Sequence, residues 1–166
     1  MDVSQQTWVS VSLTEQTLTL HKGNEPQICW PVSTGTAGPG EFRDSGATPR
    51  GWHRVRIKIG EAAPRGAVFV GRRWTGEIHT PELNRAFPER DWILSRILWL
   101  TGLESGRNRG GSVDTLSRFI YIHGCPDGST LGQPDSHGCI RMANDAVIDL
   151  FSLIGAGTLV RIEERD

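Results

Sequence analysis

Along most of the chain apolar positions recur at every second residue, in short runs closed by glycine, proline or polar turns. Trp8 to Ser12 alternates in this way and Thr17 to Leu20 repeats it, with Thr14-Glu15-Gln16 between them as a turn. The pair predicts an N-terminal hairpin. After the turn Lys22-Gly23-Asn24, the run Ile28 to Ser33 predicts a third strand, in which Cys29 reads as a core thiol. Thr34 to Gly51 is too rich in glycine and proline for regular structure, and loops of this length are often functional. Trp52 to Gly60 then alternates strictly, with Val55, Ile57 and Ile59 on one face. On this pattern His53 is a strand-surface residue and His21 a turn residue.

Ala67 to Val70 predicts a short strand, and Gly71 to Glu77 a turn carrying Arg72, Arg73 and Trp74. From Pro88 to Leu103 the period changes. Trp92, Ile93, Ile97, Leu100 and Leu103 recur at helical spacing, with Asp91 near the start, and predict a helix. Phe119 to Ile122 reads as a buried strand. A second helix is predicted from about Asp145 to Leu153, capped by Asn144 and ended by Gly155 and Gly157, before a closing strand from Thr158 to Ile162. Many short strands and two helices predict one mainly β domain over residues 1–166.

Composition narrows the function. The 166 residues carry 18 basic and 19 acidic side chains, a formal net charge of −1. That balance gives no electrostatic case for nucleic acid or an anionic membrane. Three cysteines are an odd number, which excludes a complete disulfide framework. The start MDVSQQTWVSVSL lacks a basic stretch followed by an apolar one, and no run approaches the roughly 20 residues of a membrane span. As written, the chain is expected to be cytoplasmic; loss of a leader would make it periplasmic.

The candidate chemistry lies between Phe119 and Leu150. The predicted strand ends on His123-Gly124-Cys125, a polar loop follows, and Ser136-His137-Gly138-Cys139-Ile140-Arg141-Met142 leads into the second helix. Cysteine-based acyl transfer needs an imidazole that takes the thiol proton and backbone amides that approach a developing oxyanion. Cys139, after a glycine at the end of a polar loop, is the candidate nucleophile. His123, fixed by a strand end, is the candidate base, with the Gly124 carbonyl setting its tautomer. His137 is an alternative base, or a substrate or structural contact. The amides of Gly138 and Cys139 are candidate oxyanion donors, and Arg141 is either a carboxylate-binding group or an ion-pair partner. Two other readings remain open on composition: a zinc set of His123, Cys125, His137 and Cys139, and a Cys125–Cys139 disulfide.

At these residues the chain resembles the L,D-transpeptidase catalytic domain (YkuD-type) family, whose signature is a His, a spacer, then Ser/Thr-His-Gly-Cys and often Ile-Arg-Met. The N-terminal hairpin and the tail GTLVRI are similar to the family's first hairpin and closing strand. The resemblance implies a β-sandwich or barrel-like fold with Cys139 as acyl-forming nucleophile at a groove and His123 as base, with Ser136, His137 and Gly138 shaping the site and no metal or cofactor required. The implied substrate is the peptidoglycan stem tetrapeptide, attacked at the carbonyl of its third residue (commonly meso-diaminopimelate) with release of D-Ala. A carbapenem is the implied covalent inhibitor. Many members carry Thr where this chain has Cys125, and many are exported. Without a visible leader, water is the favoured acceptor, so the expectation is an L,D-carboxypeptidase of muropeptide recycling rather than a cross-linking transpeptidase. A non-catalytic module binding peptidoglycan fragments is the lesser alternative. Arg73 and Trp74 are expected to touch substrate, within a candidate lid from Gly71 to Ser112.

Overall fold

The computed structural model describes residues 1–165. Ten strands form one mixed sheet: β1 (Thr7–Ser12), β2 (Thr17–Lys22), β3 (Glu25–Pro31), β4 (Gly51–Ile59), β5 (Ala67–Val70), β6 (Arg73–Ile78), β7 (Ile93–Gly102), β8 (Tyr121–Gly124), β9 (Ile140–Met142) and β10 (Leu159–Glu163). Two helices, α1 (Pro81–Ala86) and α2 (Asn144–Leu153), complete it. The strand order is β3-β2-β1-β10-β4-β7-β5-β6, with β8 on β7 and β9 on β8. Register shows that β4 and β5 share one edge of β7 while β8 takes the other: Ile97 faces Ile59 and His123, and Leu94 faces Val68 and Gly124. The sheet curls until the chain just after β3 meets β9, where Ser33 and Arg141 exchange backbone bonds of 3.0 and 2.8 Å. The mainly β, barrel-like expectation therefore holds.

Alternation explains the core. Val9, Val11, Leu18, Leu20, Val55, Val160 and Ile162 point to one face of their strands and meet Val147, Leu150 and Phe151 of α2 inside the curl. Burying each of these side chains contributes roughly 1.5–3 kcal/mol.

The predicted helix over Pro88–Leu103 is instead the long strand β7. Its even positions Leu98 and Leu100 enter the main core, while Ile97 and Trp99 face a second cluster with Phe69 and Tyr121. With both faces covered and both edges paired, six of its ten positions are Ile, Leu or Trp, and they fall on both faces. Such a run contains helical spacings by default, and periodicity cannot separate the two. The turn expected over Gly71–Glu77 shrinks to Gly71 and Arg72, both at positive φ (56° and 65°), the two-residue geometry that joins β5 to β6. The helix that does form in this region, α1, is short; Thr80 caps it by accepting from the Leu83 amide at 3.0 Å, with Pro81 in its first turn.

Other positions shift for related reasons. Cys29 is exposed, because β3 is the sheet edge and its partner Thr19 looks away from the core. His21 lies in β2, stacked 4.2 Å from the Trp8 ring. Asn144 is not the cap of α2 but its first residue; its buried amide accepts from Ser95 Oγ at 2.6 Å and donates to the Cys125 carbonyl at 2.9 Å. His53 is fully buried, bonded to the Gly51 carbonyl (3.0 Å) and Thr115 Oγ1 (3.1 Å).

Burial pushes the His53 imidazole down to about 4 from 6.5. Between those values the unfolded chain binds a proton that the folded one refuses, so stability is complete above pH 6.5 and falls with acidification, by about 1.4 kcal/mol per pH unit for this group. Urea denaturation at pH 7 and pH 5 is expected to show this loss, and His53→Gln to flatten it.

Candidate active site

The site is built on the parallel pair β8–β9, in which Ile122, His123 and Gly124 face Ile140, Arg141 and Met142. Cys139, one residue before β9, is therefore level with Tyr121, and the Tyr121 amide donates to its sulfur at 3.3 Å. The thiol in turn donates to the Phe119 carbonyl at 3.3 Å. Tyr121 and His123 alternate to the same face of β8, roughly 7 Å apart along the strand. Their side chains, with those of Cys139 and Arg141, line one groove of about 270 Å³.

His123 is buried, 1% exposed, and its Nδ1 lies 2.7 Å from the Gly124 carbonyl. A carbonyl only accepts, so Nδ1 carries the proton and Nε2 keeps its lone pair. His137 is 83% exposed, with Nδ1 4.0 Å from Asp91 Oδ2 at the groove rim. Of the two histidines, His123 alone is held in a fixed tautomer.

Ser136 is the hinge of the cysteine turn. Its Oγ donates to the Cys139 carbonyl at 2.6 Å and accepts from the Gly138 amide at 3.1 Å. The Gly138 N–H is thus engaged, while the Cys139 N–H has no partner among the described residues. Gly138 has φ 124°, and a Cβ there would come within 3.1 Å of the Ala47 carbonyl. Only glycine suits that backbone. The long loop from Thr34 to Gly51 forms the wall behind it: Thr48 Oγ1 donates to the Gly138 carbonyl at 2.9 Å. Arg118 fixes this wall, donating to the carbonyls of Gly40, Glu41 and Ala47 and to Ser45 Oγ.

Burial pushes the Cys139 thiol up to about 12, against the Tyr121 amide, which favours the thiolate. Burial likewise lowers His123, against its bond to Gly124. Both directions favour a neutral thiol and a neutral imidazole at rest over an ion pair.

Several candidate residues are engaged within the fold or lie away from the groove. Arg141 serves as an ion-pair partner, with Nη2 3.0 Å from Asp91 Oδ1 and Nη1 2.8 Å from the Asp135 carbonyl. Asp91, expected at a helix start, is that partner. Arg73 and Trp74 lie outside the groove lining; Trp74 is exposed and donates to the Glu77 carbonyl at 2.8 Å. Their neighbour Arg72 is the hairpin residue that enters it, and Arg118 is a second arginine that sequence reasoning passed over. The aromatic helix of the candidate lid is β7, leaving the β5–β6 hairpin as the part that overhangs the site. The Cys125–Cys139 disulfide is not formed. Cys125 lies past Gly124, four residues along from the level of Cys139, roughly 13 Å away at strand rise, where a bridge needs Cα atoms within about 7 Å. Its thiol donates to the Met142 carbonyl at 3.2 Å. Among the described residues no three His, Cys, Asp or Glu side chains converge to hold a metal, since His137 faces solvent and Cys125 lies deep in the fold.

A groove-facing cysteine at a glycine turn, with a buried histidine of fixed tautomer on the adjoining strand, defines the class of cysteine acyl-transfer enzymes. The particular member follows from comparison: residues 6–162 match the YkuD family, the L,D-transpeptidase catalytic domain, and the chain belongs to it. Two Bacillus subtilis (strain 168) relatives are similar over shorter segments. The putative L,D-transpeptidase YqjB is 44% identical over 30% of this chain and 28% of its own length. The putative L,D-transpeptidase YkuD is 43% identical over 34% of this chain and 37% of its own length. Both matches thus span about a third of the relative. Solved structures share the fold at low identity. An L,D-transpeptidase from Xylanimonas cellulosilytica DSM 15894 aligns with TM-score 0.54 and 19% identity, over 95% of this chain and 60% of its own. L,D-transpeptidase 3 from Mycobacterium tuberculosis, in complex with a faropenem-derived adduct, gives 0.55 and 18% over 95% and 60%. Bdellovibrio bacteriovorus Bd1075 gives 0.58 and 16% over 96% and 48%.

If the resting pair is neutral, alkylation of Cys139 by iodoacetamide should climb with pH through and beyond the ordinary thiol value of 9.0. A rate plateau already reached below pH 7 would instead reveal a thiolate–imidazolium pair.

Proposed function

We propose that this L,D-transpeptidase-family enzyme acts on peptidoglycan stem tetrapeptides through a thioester on Cys139. The observation that carries the reading is the tautomer of His123, whose Nδ1–H is committed to Gly124 so that Nε2 is left as base on the groove shared with the thiol. As the substrate carbonyl arrives, the thiol proton passes to His123 Nε2 and sulfur bonds the carbonyl carbon of the third stem residue. The Cys139 amide faces the oxyanion, and Arg118 and Arg141 favour the thiolate as it forms. Collapse breaks the C–N bond to D-Ala, and His123 returns the proton to the leaving amine. An incoming amine then attacks the thioester, gives its proton to His123, and leaves a new amide and a free thiol.

An amine acceptor is supported by a second cleft of about 320 Å³, lined by Arg43, Asp44, Gly46 and Ser117, which meets the first at Arg118, Phe119, Ile120 and His137. Two clefts that join beside Cys139 suit a donor and an acceptor peptide. Water attacking the same thioester gives the tripeptide and free thiol of an L,D-carboxypeptidase, the outcome expected from the sequence. By the same chemistry a carbapenem is expected to acylate Cys139, as the complex of the L,D-transpeptidase LdtMt1 with imipenem suggests.

Incubating the protein with a disaccharide tetrapeptide, with and without a free D-amino acid, separates these outcomes by mass spectrometry. Exchange product is expected in the presence of the amine, and Cys139→Ala should lower turnover by a factor of at least about 1,000 while leaving the unfolding transition unchanged. Tripeptide alone in both reactions would assign hydrolysis instead. Turnover surviving in Cys139→Ala would refute the thioester.

A further inference from the structure

Three arginines line the groove: Arg72, Arg118 and Arg141. Two are occupied. Arg118 spends its guanidinium on the loop carbonyls and Ser45, and Arg141 is paired with Asp91 and held to the Asp135 carbonyl. Arg72 differs. Among the described residues no carboxylate lies within ion-pair distance of it, and its one hydrogen bond runs from Nη1 to Tyr121 Oη at 3.2 Å.

Arg72 is nonetheless held in place. Its guanidinium carbon sits 5.0 Å from the Trp99 ring centre and 4.9 Å from that of Phe119. It is carried there by the tight β5–β6 turn at φ 65°, and Phe119 meets it from a residue that itself has positive φ (57°). Stacking on aromatic rings fixes the plane of a guanidinium while leaving most of its N–H edge free, which is the arrangement that takes a carboxylate in bidentate fashion. The Tyr121 residue that touches Arg72 through its hydroxyl touches the Cys139 sulfur through its amide. The cation is thus one residue removed from the reacting atom.

We propose that Arg72 is the carboxylate anchor of the groove and makes the enzyme select acyl-donor peptides that present a free carboxylate over those that present an amide. This rests on the reading of the groove as a stem-peptide site. On the two residues that the scissile bond joins, a meso-diaminopimelate stem offers two such groups, the main-chain carboxylate of the terminal D-residue and the side-chain carboxylate of the third residue. Both have the chemistry Arg72 would recognise.

The test uses Arg72→Gln, with Arg72→Lys as the conservative variant and Arg73→Gln, outside the groove, as the control for removing one nearby charge. One arm needs no peptidoglycan: the rates at which 3-maleimidopropionic acid and neutral N-ethylmaleimide modify Cys139 are compared at about 0.15 M salt. The acid-to-neutral rate ratio is expected to fall at least threefold in Arg72→Gln, to recover in part in Arg72→Lys, and to be unchanged in Arg73→Gln. The second arm measures kcat/KM for four tetrapeptides, amidated or free at the C-terminus and at the third-residue side chain. Arg72→Gln should cost about 30-fold on the donors that carry the recognised carboxylate and little on those in which it is amidated, which identifies the source. An unchanged ratio in the first arm, or an equal loss on all four peptides, would overturn the proposal. A ratio that falls in a wild-type background that cleaves none of the peptides would leave Arg72 standing as a carboxylate site and reject the stem-peptide reading.

Discussion

Everything at this site depends on one short parallel pairing, β8 against β9. Three residue pairs set its register, and the bridge from Ser33 clamps β9 from the other side. Register fixes which backbone amide meets the sulfur, and it places His123 one alternation further on the same face. Shifting β9 by one residue would turn Cys139 and Arg141 to the opposite face, because side chains in a strand alternate with period two. The pair is in turn held by β7, whose two edges are both filled and whose two faces are both packed. Cys139, although it sits in a loop, is therefore held through β8, whose four residues are all buried, against β7.

The electrostatics follow from that burial. Burial disfavours the charged forms of both the thiol and the imidazole, so the pair itself adds little charge to a groove already lined by Arg72, Arg118, Arg141 and Asp91. The thiolate is required only when an electrophile is present to accept it. Around the pair, the cations are distributed with different duties: Arg118 binds loop to strand, Arg141 binds the β9 turn to Asp91, and Arg72 is stacked in place with its donors largely unspent. Two of these arginines act on the protein, which leaves the third for a ligand.

Much of this was legible in the sequence where one residue type has one physical use. Strict alternation located β1, β2 and β4, the apolar run ending on His123 located β8, and the pair of His-Gly-Cys tripeptides pointed to His123 and Cys139, which line one groove. Gly138 was read as an amide donor, whereas its φ of 124° and the bond from its amide to Ser136 Oγ belong to the turn itself. What escaped was set by long-range packing. β7 looked helical because a strand covered on both faces loses its alternation. Cys29 looked buried because nothing local announces that β3 is the sheet edge. His53 looked exposed, whereas its bonds come from Gly51 and from Thr115, sixty-two residues away. The arginines were ambiguous for the same reason: Arg72 and Arg73 are neighbours in sequence, and only the turn geometry sends one into the groove and the other out.

The central claim is that Cys139 carries the acyl group, with His123 as its proton carrier. It is tested most directly by mixing the protein with tetrapeptide donor, quenching in acid within seconds, and measuring intact and peptide-mapped masses. The account predicts a covalent adduct equal in mass to the donor less D-Ala, located on Cys139, absent in Cys139→Ala and formed far more slowly in His123→Ala. Donor turnover with no adduct at any quench time, or an adduct mapped to another residue, would contradict it.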